Sequence, residues 1–125
     1  MKPKVVIVED QADIRKLIRM TLELEDFELH EADRGDAAWS LIQKLQPALA
    51  LLDVMMPGGL DGYQLCEKIK MDPELAATTK VIVLTARTQQ ADLERGRQAG
   101  CDAYLVKPFS PGELLDTVAR LVLPS

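Results

Sequence analysis

The stretch LALLDVMMPGGLDG, residues 49–62, decides how this chain is read. An apolar run from Leu49 to Leu52 ends in one carboxylate, Asp53, and two methionines, a proline and a pair of glycines follow. A short apolar run bounded by turn residues suits a strand buried on both faces. Asp53 then stands at the carboxyl end of its strand, where open α/β sheets place their chemistry.

Working outward, three more segments read the same way. KVVIVE at 4–9 and KVIVLT at 80–85 are continuous apolar strands, and AYLV at 103–106 is a shorter one. FELHEA at 27–32 differs, because it alternates apolar and polar residues. That pattern suits a half-exposed edge strand with His30 on its wet face. Helical stripes fall between the strands. Ile14, Leu17, Ile18 and Leu22 form one, and Ala38, Leu41, Ile42 and Leu45 form a second that Pro47 stops. A third helix runs from about Tyr63 to Met71 and ends near Asp72-Pro73. The segment at about 88–99 has Leu93 as nearly its only large apolar residue, with Gly96 weakening it, so it is expected to be the most loosely held helix. Ser110-Pro111-Gly112-Glu113 is a capping box with proline at the first helical position, opening a helix whose inner face is Leu114, Leu115, Val118, Leu121 and Val122. Five strands alternating with five helices predict an α/β domain, a doubly wound parallel sheet with right-handed crossovers.

Composition narrows the function classes. The 125 residues suit a single domain, 1–125, and 47% hydrophobic with 28% charged residues is ordinary for one globular core. A formal net charge of −5 argues against this segment gripping nucleic acid or an anionic membrane. No apolar stretch is long enough to span a bilayer, and residues 1–9 lack a secretory layout. Cys66 and Cys101 have no metal-ligand spacing, and Cys66 reads as a small buried thiol. Nothing points to an oxidising compartment, so a cytoplasmic location is expected.

Four strand ends carry polar groups that an apolar strand does not need. Glu9 and Asp10 end the first strand, Asp53 the third, Thr85 the fourth and Lys107 the fifth. In a doubly wound sheet these ends converge on one rim. Two like charges about 4 Å apart cost roughly 4 kcal/mol at an effective dielectric of about 20. Lys107 and a hard divalent cation are the two ways to offset that repulsion. Mg²⁺ takes one or two carboxylates, keeps water and accepts phosphate oxygens, so the rim is a site suited to a phosphate. Each member also has a plainer explanation: Asp10 as a helix cap, Thr85 as the start of a turn, Lys107 as an exposed residue before Pro108. Their conjunction, each at its own strand end, favours the site.

VVIVED at 5–10, DVMMP…DG at 53–62, VIVLTA at 81–86 and YLVKPF at 104–109 together resemble the receiver domains of two-component response regulators, chemotaxis regulators among them, over essentially the whole chain. The resemblance implies the flavodoxin-like strand order 2-1-3-4-5. It implies that Asp53 is the phosphoacceptor, attacking a phosphohistidine on a histidine kinase or phosphotransfer protein. Asp10, Glu9 acting through water, Asp53 and the Met55 backbone carbonyl would hold Mg²⁺. Lys107 would pair with a phosphoryl oxygen, Thr85 would bind another and move inward, and Tyr104 would be the aromatic switch residue. Lys107-Pro108 would be a cis peptide bond. The surface over 88–122 would then change its affinity for a downstream protein or an effector domain outside the chain. Such a domain is no enzyme beyond its own phosphorylation and dephosphorylation.

The chain departs from the family pattern in places. Gly58-Gly59 looks like a one-residue insertion, and Glu9 replaces aspartate. Met55 and Arg87 stand where the family tunes phosphate lifetime, and neither is a water-positioning acid or amide, which points to a long-lived phosphoryl group. Asp102, Glu113 and Arg120 read as a solvated surface, and the competing reading is a charge set between subunits of a phosphorylation-dependent homodimer. Three rival functions fit less well. A receiver-like adaptor without chemistry would not need the full set Glu9, Asp10, Asp53, Thr85 and Lys107. An aspartyl-phosphate phosphatase wants an acid where Met55 stands. A dinucleotide-binding protein wants G-x-G-x-x-G after the first strand, and none is there.

Overall fold

A computed structural model describes residues 2–56, 58–86 and 90–122. The elements in chain order are β1 (Lys4–Val8), α1 (Ala12–Leu22), β2 (Glu28–Ala32), α2 (Gly35–Leu45), β3 (Leu49–Asp53), α3 (Gly62–Met71), α4 (Pro73–Thr78), β4 (Lys80–Thr85), α5 (Gln90–Ala99), β5 (Ala103–Val106) and α6 (Pro111–Val122). The strands form one parallel sheet in the order β2-β1-β3-β4-β5, so the alternating FELHEA segment is indeed at an edge. His30 is half-buried there, its Nε2 2.8 Å from Glu28 Oε2.

Strand alternation builds two cores. Val5 and Ile7, Leu49 and Leu51, Ile82 and Leu84, and Leu105 face α1 and α6, meeting Ile18, Leu22, Leu114 and Val118. Val6 and Val8, Ala50 and Leu52, and Val81 and Val83 face the other side, meeting Ile42, Leu65, Ile69 and Ala99. Because both faces are covered, the central strands show no alternation in sequence.

Two differences from the sequence reading have physical causes. Five helices were expected, and six lie among the described residues. Asp72, extended at φ −89° and ψ 117°, ends α3 before Pro73, but its side chain then accepts from the N–H groups of Glu74 and Leu75 and starts α4. Proline at the first helical position and the burial of Leu75 complete that short helix. Asp-Pro is thus a stop and a start at once. Glu9 also leaves the first strand, which ends at Val8, although its N–H still bonds the Ala32 carbonyl at 3.1 Å.

The Ser110 box is formed: Glu113 N–H donates to Ser110 Oγ at 3.1 Å and Ser110 N–H to Glu113 Oε1 at 3.2 Å. α5 begins at Gln90, and Thr88 of its expected first turn lies outside the described residues.

Candidate functional site

Side-chain parity carries the acids to one place. Glu9 continues the facing of Val5 and Ile7, Asp53 that of Leu49 and Leu51, and Lys107 that of Leu105. The register pairs Val8 with Leu52, so Glu9 and Asp53 follow side by side. One oxygen each from Glu9, Asp10 and Asp53 lies within 4.8 Å of the others. Glu9 and Asp53 are buried and Asp10 is exposed.

Lys107 enters from beyond β5 with its Nζ 3.1 Å from Asp53 Oδ1, donating a hydrogen bond, and 2.7 Å from Glu9 Oε1. Glu9 Oε1 is buried, and its partner among the described residues is the Lys107 ammonium in this ion pair. Glu9 Oε2 accepts from the Gln11 N–H at 3.3 Å. Burial pushes the Glu9 carboxyl up to about 7, and the neighbouring Asp53 adds to the rise against the pull of Lys107. For Lys107 burial works against the charge, but the two carboxylates outweigh it and hold the ammonium above its ordinary range.

Asp10, Gln11, Asp53, Met55, Thr85 and Lys107 line a cleft of about 290 Å³. Thr85, buried at the end of β4, follows the parity of Val83, and Tyr104 pairs with Val83 on the neighbouring strand. Thr85 and Tyr104 therefore share the α5 face of the sheet. Between them, walled by Tyr63, Asp92 and Leu93, is a gap of only about 10 Å³. Tyr104 is 46% exposed. The Lys107–Pro108 peptide bond is cis.

The loop after Asp53 is set by glycines. Gly62 lets the start of α3 close on the strand: a Cβ there would sit 2.4 Å from the Asp53 carbonyl oxygen. Asp61 caps α3 through Gln64 in a reciprocal box. Gly58 and Gly59 have φ +94° and +82°, in the region glycine favours, and Gly58 lies against the start of α2 at Arg34 and Asp36. Pro57 and Arg87 lie outside the described residues.

Gln11 carries no motif that would single it out in the sequence. It lines the cleft, and its Oε1 is 3.5 Å from Lys107 Nζ. Only its place directly after Glu9-Asp10 could have flagged it. The three charges considered for a dimer all find partners in the chain. Asp102 Oδ2 accepts from the Val81 N–H at 2.8 Å and pairs with Lys70 at 2.8 Å, Glu113 caps α6, and Arg120 reaches Thr117 at 3.3 Å.

An all-oxygen cluster of three carboxylates offset by a single ammonium fits a hard divalent cation. Fold and cleft together define a class: doubly wound domains with an acidic, cation-suited pocket at the carboxyl end of the sheet. The chain belongs to the response regulator receiver domain family, which matches residues 5–119. It is thus a phospho-accepting signalling domain of the two-component kind.

Among its relatives, the transcriptional regulatory protein ResD of Bacillus subtilis is 41% identical over 119 residues, covering 95% of this chain and 48% of ResD. The chain spans about half the length of the curated relatives it matches. The chemotaxis response regulator CheY4 of Vibrio cholerae superposes with a TM-score of 0.89 at 30% identity, covering 98% of this chain and all of that one. A receiver domain of a Pseudomonas aeruginosa sensor histidine kinase, solved with magnesium coordinated in its active-site cleft, superposes with a TM-score of 0.86 at 27% identity, covering 97% and 98%. Among the described residues no helix is long and apolar enough to cross a membrane.

Proposed function

We propose that Asp53 is the phosphoacceptor and that the cleft transfers a phosphoryl group to it from a phosphohistidine on a kinase or phosphotransfer protein. A carboxylate oxygen of Asp53 attacks phosphorus, the P–N bond breaks, its electron pair returns to the imidazole, and an aspartyl phosphate remains. Mg²⁺, held by Asp10, Asp53, the Met55 carbonyl and Glu9 through water, would neutralise the phosphoryl oxygens. Lys107 would release its contact with the Asp53 carboxylate to a phosphoryl oxygen. Catalysis is then positioning and charge neutralisation, and the domain accelerates only its own phosphorylation and dephosphorylation.

The observation that carries this reading is Lys107 Nζ bridging Glu9 and Asp53 at 2.7 and 3.1 Å at the mouth of the acidic cleft. Thr85 would bind another phosphoryl oxygen and move towards it. The gap of about 10 Å³ behind Thr85 is far too small for a phenol ring, so Tyr104 turns inward only if Thr85 and α5 both give. The surface of α5, β5 and α6 would then change its affinity for a downstream protein or an effector domain in a longer chain. Because a phosphohistidine draws on nucleotide inside the cell, the domain would work in the cytoplasm.

Incubation with a small phosphodonor and Mg²⁺, read by intact mass, tests the assignment. The parent should gain one phosphoryl group, and Asp53→Asn or added chelator should abolish the gain. Undiminished modification of Asp53→Asn would move the acceptor elsewhere.

A further inference from the structure

Behind the acids lies a second layer of contacts. Glu9 and Asp10 hang from the two Cα atoms of a single peptide plane. That plane is gripped from outside the cleft. Arg15, in the first turn of α1, donates from Nη1 to the Glu9 carbonyl oxygen at 2.7 Å. Its Nε donates to Glu31 Oε1 on the edge strand β2 at 3.2 Å. Glu31 is braced in turn by Arg19, whose Nη1 is 2.5 Å from the other carboxylate oxygen. The next β2 residue, Ala32, accepts the Glu9 N–H at 3.1 Å. Both backbone polar groups of Glu9 are therefore held by neighbours that take no part in the cleft.

We infer that Arg15 is a positioning residue for the divalent-cation site, aiming the Glu9 and Asp10 carboxylates by locking the peptide plane between them. The inference rests on the cation site proposed above. A guanidinium suits the task because its donors form a rigid fork, one edge for Glu31 and another for the carbonyl. Its bonds go to a backbone oxygen and to Glu31, which it shares with Arg19, and none goes to a cleft carboxylate, so its role is aim, distinct from the neutralisation supplied by Lys107. Aim matters here, since Mg²⁺ demands near-ideal octahedral geometry and small displacements of its ligands cost affinity.

A magnesium titration without phosphodonor tests this, followed by the amide NMR shifts of Asp53, Val54 and Ala86, with denaturant unfolding in chelator measured alongside. Arg15→Met keeps the aliphatic stem and removes the fork. Its Mg²⁺ dissociation constant should rise roughly tenfold, the usual scale for losing a partner behind a metal ligand. A purely electrostatic role gives the opposite sign, because removing a nearby positive charge favours a bound cation. Arg15→Lys keeps the charge and loses the fork, so it should weaken Mg²⁺ roughly threefold, and it carries the test should the methionine variant fail to fold. Unchanged or tighter Mg²⁺ binding by a folded variant overturns the inference, even where its unfolding midpoint drops. A parent that shows no Mg²⁺-dependent shifts overturns the cation site itself, and the role of Arg15 with it.

Discussion

Two helices flank the strand ends that line the cleft, α1 next to Glu9 and α5 next to Thr85, and the two sides, or walls, are built from opposite materials. α1 buries Ile18, Thr21 and Leu22, and Glu9 beside it has its N–H, its carbonyl and one carboxylate oxygen all hydrogen-bonded. α5 buries only Gly96 and Ala99, and Leu93 is half-exposed. Polar contacts stand in their place: Arg95 lies over the Tyr63 ring at 5.3 Å and pairs with Glu67, and the Tyr63 hydroxyl donates to the Asp92 carbonyl at 3.1 Å. A buried aliphatic side chain contributes about 1.5–3 kcal/mol and a solvent-facing ion pair about 0–1 kcal/mol. The first wall suits residues that must keep their geometry. The second suits an element that shifts, and Thr85 stands beside it.

The largest effect should come from breaking the first wall. Ile18→Ala is expected to cost roughly 2–5 kcal/mol of unfolding free energy, against about 1 kcal/mol for Leu93→Ala. Equal costs in urea titrations would erase the contrast between the walls.

Next in size is the pH response of the buried acid. The folded Glu9 carboxyl keeps its proton up to about 7, whereas its ordinary value is 4.5. Between those values the folded state binds more protons than the unfolded state. In chelator, stability should therefore fall as pH rises through this window, by about 3 kcal/mol, and level off above it. Saturating Mg²⁺, which favours the ionised form, should flatten the slope, and Glu9→Gln should remove it.

A smaller change is expected at the neighbouring position. At pH 8 in chelator, Asp53→Asn should stabilise the fold by about 1 kcal/mol, because it relieves repulsion between buried carboxylates. A destabilised variant would mean that the Lys107–Asp53 pair outweighs that repulsion.

The smallest effect in stability falls on the second wall. Arg95→Met should cost less than about 1 kcal/mol globally, yet amide exchange of α5 should quicken several-fold while that of α1 stays unchanged. Protection of α5 equal to that of α1 in the parent would contradict a yielding wall.

How much of this was legible depends on the range of each signal. The central strands were legible because burial on both faces leaves an unbroken apolar run, as in Val5–Val8 and Val81–Leu84. The sparse burial of α5 was legible in the lack of aliphatic residues over 90–99. α4 escaped the sequence reading because Asp-Pro signals a terminator, although Asp72 also caps the short helix on its far side. Gln11 and Arg15 carried no motif, since Gln11 meets a lysine 96 positions away and Arg15 joins an edge-strand glutamate 16 positions away to the Glu9 carbonyl.

The chain's own order of residues thus settled which segments are strands, which helix has few aliphatic side chains to bury and which polar groups sit at strand ends, because these are consequences of short-range periodicity and of turn chemistry. Tertiary structure alone decided that Lys107 spans Glu9 and Asp53, that Glu9 is buried deeply enough to hold its proton towards neutrality, and that Arg15 grips the plane between the two acids. Those facts depend on distances between side chains that the folded strands and loops bring together, and on how much water the packing excludes.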